Sequence, residues 1–359
     1  MKRSHRYGVA VVLALTLGAC DAPGPAPTES AAAISCAAGS IKAQGSSAQT
    51  NAVNMWIRNY QVSCPGATIE YASVGSGAGL TDFIDGTGDF AGSDSPLTPT
   101  DQRRANVRCK TGPAIHLPMV VGPIALAYNV AGVGNLQLRP ATIAKIFSGA
   151  ATAWDDPAIV ADNPGAVLPS TKIVTVHRSD SSGTTDNVTR FLATTAAGAW
   201  TYGNNKTWPA PGGQPAKGSN GVSAAVAQTD GAIGYVEWSY AQFHNLNTAR
   251  IGNGAKEFAA LTDAAAGRTV ANAKTTGTGG DLQLSIDYNT TAAGAYPLVL
   301  VTYEVVCRTG TPAGALNLVK SFLTYTSSET GQAAATRLGY TPLPDELRGK
   351  VATAVAGLR

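Results

Sequence analysis

The chain has 359 residues, 44% of them hydrophobic and 14% charged, with 40 glycines and 20 prolines. That length holds one large domain or two of medium size with ample core. The formal net charge is +3, but Lys2, Arg3 and Arg6 fall within the first 19 residues. Without them 23 basic side chains face 23 acidic ones, a neutrality that gives no electrostatic footing for nucleic acid.

Residues 1–19 read as an export signal: basic "MKRSHRYG" is followed by "VAVVLALTLGA", an apolar run too short to span a bilayer. Leu17-Gly18-Ala19-Cys20 resembles a bacterial lipobox, which makes Cys20 the candidate for diacylation and for the mature N-terminus. The alternative is an ordinary cleavage site beside an incidental cysteine. Residues 20–35 contain "DAPGPAPTESAAA", a Pro/Ala/Ser-rich flexible tether. Four further cysteines remain: Cys36, Cys64, Cys109 and Cys307. An even number in an exported protein points to two disulfides, with all three pairings open. The absence of a CxxC pair argues against a redox or zinc motif, and neither a metal nor a cofactor is expected.

Along the chain, strand patterns alternate with helix patterns, as in an α/β protein with mostly parallel sheets. "SIKAQG" reads as a strand and "SSAQTNAVNMWIRNYQ" as a helix, followed by strand "ATIEYASVG", helix "SGAGLTDFIDG" and strand "GDFAGSD". "AIHLPMVVGPIALAYNV" is a long extended run whose prolines argue against one uninterrupted central strand. "PATIAKIFSG" is a short helix, "TKIVTVHR" a strand, "TTDNVTRFLATTA" a helix, and "GAIGYVEWSYA" a strand entering a helix. Near the end "AYPLVLVTYEVVC" reads as a buried strand, with helices in "AGALNLVKSFLTYTSS" and "ELRGKVATAVAGLR". No internal repeat is visible.

Three strand-to-helix junctions share one design: "GSSAQ" (45–49), "VGSGAG" (74–79) and "SDSSGTT" (179–185). The first N–H groups of a helix lack internal partners and carry the positive end of its dipole. Small residues let an anion approach those amides, and hydroxyls add donors. One such cluster is ordinary helix capping. Three in one α/β chain, with Arg178 beside the third, indicate an anion cradle at the carboxyl ends of strands. A fourth segment, "FAGSDSPL" (90–97), places Asp94 among serines. An acid suits an anion site only when the anion still carries a proton. Hydrogen phosphate does and sulfate does not, so a buried carboxylate there accepts from the first and repels the second. The plainer reading of Asp94 is an Asx turn.

These residues match a family. "GSDSPL", "IFSGAATAWDDPAIVADNPGAVLPSTKIVTVHRSDSSGTT" and "GAIGYVEWSYA" give the chain, over roughly residues 38–345, a strong resemblance to the phosphate-binding lipoproteins and periplasmic proteins of bacterial phosphate-specific ABC transporters. The resemblance implies a periplasmic-binding-protein fold (type II), two α/β lobes hinged over the ligand: residues 36–119 with 291–359, and residues 120–290. It implies phosphate ligands at Ser47, Ala48, Ser76, Asp94, Arg178, Ser182, Gly183 and Thr184, with Asp180 holding the Arg178 fork. Ala48 stands where the family often has an aromatic residue, and Ser181 where it often has glycine, a strained choice if that turn needs a positive φ. The resemblance also implies the pairing Cys36–Cys307 and Cys64–Cys109, because the strand ending at Cys307 is expected beside the first strand. The implied partners are inorganic phosphate and the permease subunits of an ABC importer with their cytoplasmic ATPase. The implied setting is a monomer held at the outer face of the cell membrane by its lipid.

Rival readings remain. A phosphatase or serine hydrolase using Ser182 needs a base beside it, and the motifs HExxH, GxSxG, Walker A and GxGxxG are absent. After the signal only His116, His177 and His244 remain, each alone. Binding of sulfate or molybdate is disfavoured by Asp94, while a scaffold or adhesin role leaves no sequence mark.

Overall fold

The structure is a computed structural model, and it describes residues 34–359. The export signal, Cys20 and nearly all of the 20–35 tether lie outside the described residues.

A nine-stranded mixed sheet organises the molecule. Eight strands follow one another across it: Ala67–Ser73, Gly39–Gly45, Phe90–Ser93, Val299–Cys307, Ala114–Asn129, Ala232–Glu237, Val174–Arg178 and Gln214–Ala216. The ninth, Asn247–Thr248, flanks the long Ala114–Asn129 strand. The first three are mutually parallel, and so are the last three. Between these blocks run the two longest strands, antiparallel to each other and to their outer neighbours. The α/β class read from the sequence is therefore present as two parallel blocks joined by an antiparallel pair.

The elements follow from their sequences. Helix Thr50–Ser63 buries Ala52, Val53, Trp56 and Tyr60, one stripe at helical spacing. Val299–Cys307 is buried along its whole length, as an apolar run in a sheet interior must be. Helix Pro99–Cys109 was not anticipated, although Thr98 accepts from the Asp101 N–H and Pro99 opens the first turn, a readable start signal. Helix Gly218–Gln228, "GSNGVSAAVAQ", also escaped because its small residues carry little apolar rhythm. Among the described residues no helix is long and apolar enough to cross a membrane.

Two expectations are corrected. Ala114–Asn129 is one uninterrupted strand of 16 residues despite Pro118 and Pro123. Pro118 sits where the ladder with Val299–Cys307 shifts register at Thr302/Tyr303. Pro123 sits where the strand leaves that partner, and from Ile124 onward it pairs with Ala232–Glu237. Both prolines thus occupy breaks in the ladder, where a missing N–H costs little.

The disulfides are Cys36–Cys64 and Cys109–Cys307, and not Cys36–Cys307 with Cys64–Cys109. The topology explains the difference. Val299–Cys307 pairs with Phe90–Ser93 and Ala114–Asn129, and not with the first strand. Cys307 lies opposite Ala114, just after the helix that ends at Cys109. Cys36 precedes the first strand as Cys64 precedes the second, and those strands run parallel in register from Gly39 and Ala67.

Candidate anion-binding site

The three hydroxyl-rich junctions and Asp94 meet at one cleft, each at the end of a sheet strand. The first strand ends at Gly45, so Ser46, Ser47 and Ala48 lead into helix Thr50–Ser63. The second hands over to helix Ser76–Ile84 through Gly75. Phe90–Ser93 delivers Asp94, and Val174–Arg178 delivers Arg178 just before helix Gly183–Thr195. Ser47, Ala48, Ser76, Asp94, Arg178, Ser182 and Thr184 are all buried.

Asp94 is 4% exposed and surrounded by donors. Thr302 Oγ1 donates to Asp94 Oδ1 at 2.8 Å, and Ser76 Oγ donates to Oδ2 at 3.3 Å. The Asp94 N–H in turn donates to Ser76 Oγ at 3.1 Å, which fixes the carboxylate against the start of the second helix. Burial raises the Asp94 pKa, while hydrogen bonds from Ser46 and Thr302 and the nearby Arg178 charge partly offset it.

On the facing wall Arg178 is 2% exposed, and its fork grips Asp180 through Nε–Oδ1 at 2.7 Å and Nη2–Oδ2 at 2.5 Å. Burial raises the Asp180 pKa, but the Arg178 hydrogen bonds and charge outweigh it, so the carboxyl lies below its ordinary value. Gly218 N–H also donates to Asp180 Oδ1 at 3.1 Å. The Arg178 backbone is itself fastened, its N–H donating to the Tyr235 hydroxyl at 3.1 Å.

Helix Gly183–Thr195 points its N-terminus into the cleft. Ser182 Oγ caps it by accepting from Thr185 N–H at 3.1 Å, which leaves the Ser182 O–H free to donate elsewhere. Thr184 Oγ1 is buried with no hydrogen-bond partner among the described residues. A buried orphan hydroxyl costs free energy unless something accepts from it. It is the clearest sign that this helix end is shaped for an acceptor.

The two walls touch. Asn187 Nδ2 donates to Asp94 O at 2.8 Å, Ser95 Oγ to Asp186 Oδ2 at 2.7 Å, and Gly77 N–H to Ser181 O at 3.0 Å. Two glycines permit this approach. A Cβ on Gly183 would lie 2.6 Å from Ser76 Oγ and 2.8 Å from Asp94 Oδ2. Gly75 has φ +92°, and a Cβ there would meet Asp180 Oδ2 at 2.4 Å. The turn at Ser181 does not take a positive φ, so the condition for strain is not met and serine is accommodated there.

Sequence reading missed Ser219, whose N–H donates to Ser47 Oγ at 3.0 Å across the cleft. The signal was present, since "KGSNGV" is another small-residue junction between a strand and a helix. Thr302 was also missed; it is the sole hydroxyl in the apolar run "LVLVTYEVV" apart from the Tyr303 phenol, set two residues from Glu304. His177, the only base near the serines in sequence, has Nδ1 turned to its neighbour's carbonyl, Arg178 O, at 3.0 Å and stacks on Trp208 with ring centroids 5.2 Å apart. It is not arranged as a partner for Ser182.

Residues 30–330 match the family model described as the PBP superfamily domain. The phosphate-binding protein PstS3 of Mycobacterium bovis BCG is 40% identical over 365 aligned residues, covering 98% of both chains. PstS2 of the same organism is 43% identical over 88% of this chain and 86% of its own. This chain belongs to the PstS family of phosphate-binding proteins. A high-affinity periplasmic phosphate-binding protein solved with phosphate, PfluDING, superposes with a TM-score of 0.72 at 24% identity, over 88% of this chain and 93% of its own. A phosphate-bound substrate-binding protein from Clostridium perfringens gives 0.61 at 18% identity, over 85% and 100%. These likenesses show the two-lobed binding-protein fold.

Proposed function

We propose that this protein captures hydrogen phosphate in the cleft between Asp94 and Arg178 and delivers it to the permease of an ABC importer. The observation that carries this reading is a buried acid in an anion site. Asp94 faces a wall made of a guanidinium, a helix N-terminus and an orphaned Thr184 hydroxyl. Such a site satisfies an anion that both accepts and donates. Hydrogen phosphate does both, whereas sulfate leaves Asp94 facing a like charge. The relatives and structural neighbours, which are phosphate-binding proteins, support the same ligand.

In this reading Ser47 and Ala48, Ser76 and Asp94 belong to a lobe of residues 36–119 with 291–359. Arg178, Ser182, Gly183 and Thr184 belong to a lobe of residues 120–290, and phosphate holds the two closed. The partner exchange of the long strand at Pro123/Ile124 supports a crossover there. A micromolar dissociation constant needs about 8 kcal/mol, within reach of several charge-assisted hydrogen bonds after desolvation. The protein acts outside the cytoplasm as a monomer, tethered by lipid on Cys20, with the permease and its ATPase as partners. It binds without turnover.

The test is calorimetry on ligand-stripped protein with phosphate and with sulfate. Tight phosphate binding that excess sulfate does not displace is the expected result. Absence of phosphate binding, or phosphoester hydrolysis that disappears in S182A, would contradict it.

A further inference from the structure

Beneath the Ser46–Ala48 loop lies a buried polar cluster that contributes nothing directly to the cleft. Gln49 follows Ala48 at the cap of helix Thr50–Ser63. Its Nε2 donates to the Tyr71 hydroxyl at 3.0 Å, and that hydroxyl donates to Ser46 O at 2.9 Å. Gly92 makes the room, since a Cβ there would come within 2.0 Å of Gln49 Nε2 and 2.5 Å of the Tyr71 hydroxyl. Opposite Gly92 on the neighbouring strand is Glu304. It shares a sheet face with Thr302, the residue that holds Asp94 Oδ1.

Glu304 is 2% exposed, and its Oε2 has no hydrogen-bond partner among the described residues. Gln49 Oε1 is orphaned in the same way, and the Gln49 amide lies against the Glu304 carboxyl. Two unpaired buried acceptors at one place are costly, and one shared proton satisfies both. An ionised Glu304 would instead set a second negative charge beside Asp94, whose neighbouring cation Arg178 already serves Asp94 and Asp180, and among the described residues no cation acts on Glu304 itself.

We propose that Glu304 is a positioning residue for the anion cleft, held as a neutral carboxylic acid. In that form it ties Gln49, Tyr71 and the Ser46–Ala48 loop together and leaves the negative charge of this wall on Asp94. The proposal rests on the reading of the cleft as a phosphate site. Burial, with the Asp94 charge adding to it, pushes the Glu304 pKa up to about 8. A Gln49 N–H donating to the carboxylate would oppose this, but Gln49 Nε2 is engaged with Tyr71 and it is the acceptor Oε1 that is left unpaired. The groups facing Glu304 are Asp94, Tyr71 and Gln49, with Tyr240 near Tyr71 and Arg178 acting through Asp94. His116 lies one register step along the adjacent strand on the other face, paired with Asp281.

The sign follows from linkage. Bound phosphate brings negative charge and favours the protonated acid, so phosphate affinity holds below the Glu304 pKa and falls above it. Hydrogen phosphate keeps its own proton throughout this range, and affinity is expressed per hydrogen phosphate so that the dihydrogen form present near neutral pH does not enter the comparison. Wild-type affinity measured by calorimetry should therefore weaken about fivefold to tenfold between about pH 7 and about pH 9.5. E304Q, which mimics the neutral acid, should match wild type at neutral pH and lose that fall. A flat wild-type profile, or an E304Q profile falling like wild type, overturns the proposal while leaving the phosphate reading intact. Absence of phosphate binding by wild type at neutral pH overturns both.

Two other protein groups serve as controls for this window, Glu237 because it titrates within it and Lys206 because its pKa is displaced toward it. Burial raises Glu237 to about 8, and burial lowers the Lys206 pKa. Should E304Q not fold, E237Q and K206M carry the test. A fall retained in both supports Glu304, and a fall abolished by either overturns it.

Discussion

The wall built from Ser46–Ala48, Ser76 and Asp94 and the wall built from Arg178–Thr184 use the same small residues at strand ends, yet treat their carboxylates in opposite ways. Asp94 is enclosed by the hydroxyls of Thr302, Ser76 and Ser46, forms no ion pair among the described residues, and burial lifts its pKa. Asp180 is also partly buried, but the Arg178 fork outweighs that burial and holds it down. Asp180 is thus spent on orienting a cation, while Asp94 keeps acceptor capacity for something in the cleft. One wall presents donors backed by positive charge, and the other presents donors together with an acceptor. Only a guest with both chemistries satisfies the two at once.

The sharpest way to break the comparison is to remove the cation. R178A should weaken phosphate binding about a hundredfold or more, because it deletes a buried charged donor and strands Asp180 unpaired. Titration calorimetry reads this directly, and a loss below about tenfold would show that the helix N-terminus dominates that wall. D180N, next in size, should cost about tenfold in affinity by loosening the Arg178 fork. It should also lower Tm at neutral pH. The folded-state pKa of Asp180 is depressed, so the pair's stability is complete above the ordinary carboxylate value and is lost as pH falls through the lowered one. The Tm gap between wild type and D180N should therefore close in acid, and a gap constant with pH would mean the pair is not what D180N removes. T184A should have the smallest effect, about fivefold in affinity, the worth of one hydrogen bond made only with ligand bound. It should leave the unliganded Tm unchanged or raised, since the orphaned hydroxyl has no partner to lose among the described residues.

The cleft was legible where local chemistry dictates geometry. Glycine and hydroxyl residues at the ends of apolar runs are read from sequence because helix ends need such residues whatever the fold. Arg178 with Asp180 was legible for the same reason, two residues apart at a strand end. What escaped depends on which strands lie side by side. Thr302 is over two hundred positions from Asp94 and reaches it only because Val299–Cys307 runs antiparallel to Phe90–Ser93. The same placement sends Cys307 to Cys109, and an assumed neighbour gave the wrong disulfides. The prolines of the long strand misled for a related reason, since whether a proline breaks a ladder depends on where the partner strand has already left it.

Everything in this mechanism turns on Asp94 as the acceptor of a proton carried by the ligand. The direct measurement is to titrate wild type and D94N in parallel with phosphate and with sulfate. The substitution is nearly isosteric, keeps the site buried, and replaces an acceptor-only carboxylate with an amide that also donates. Wild type should bind phosphate and not sulfate, and D94N should narrow that preference by about tenfold to a hundredfold through weaker phosphate and stronger sulfate binding. A preference unchanged in D94N would contradict the account, because the proton would then be read by some other group.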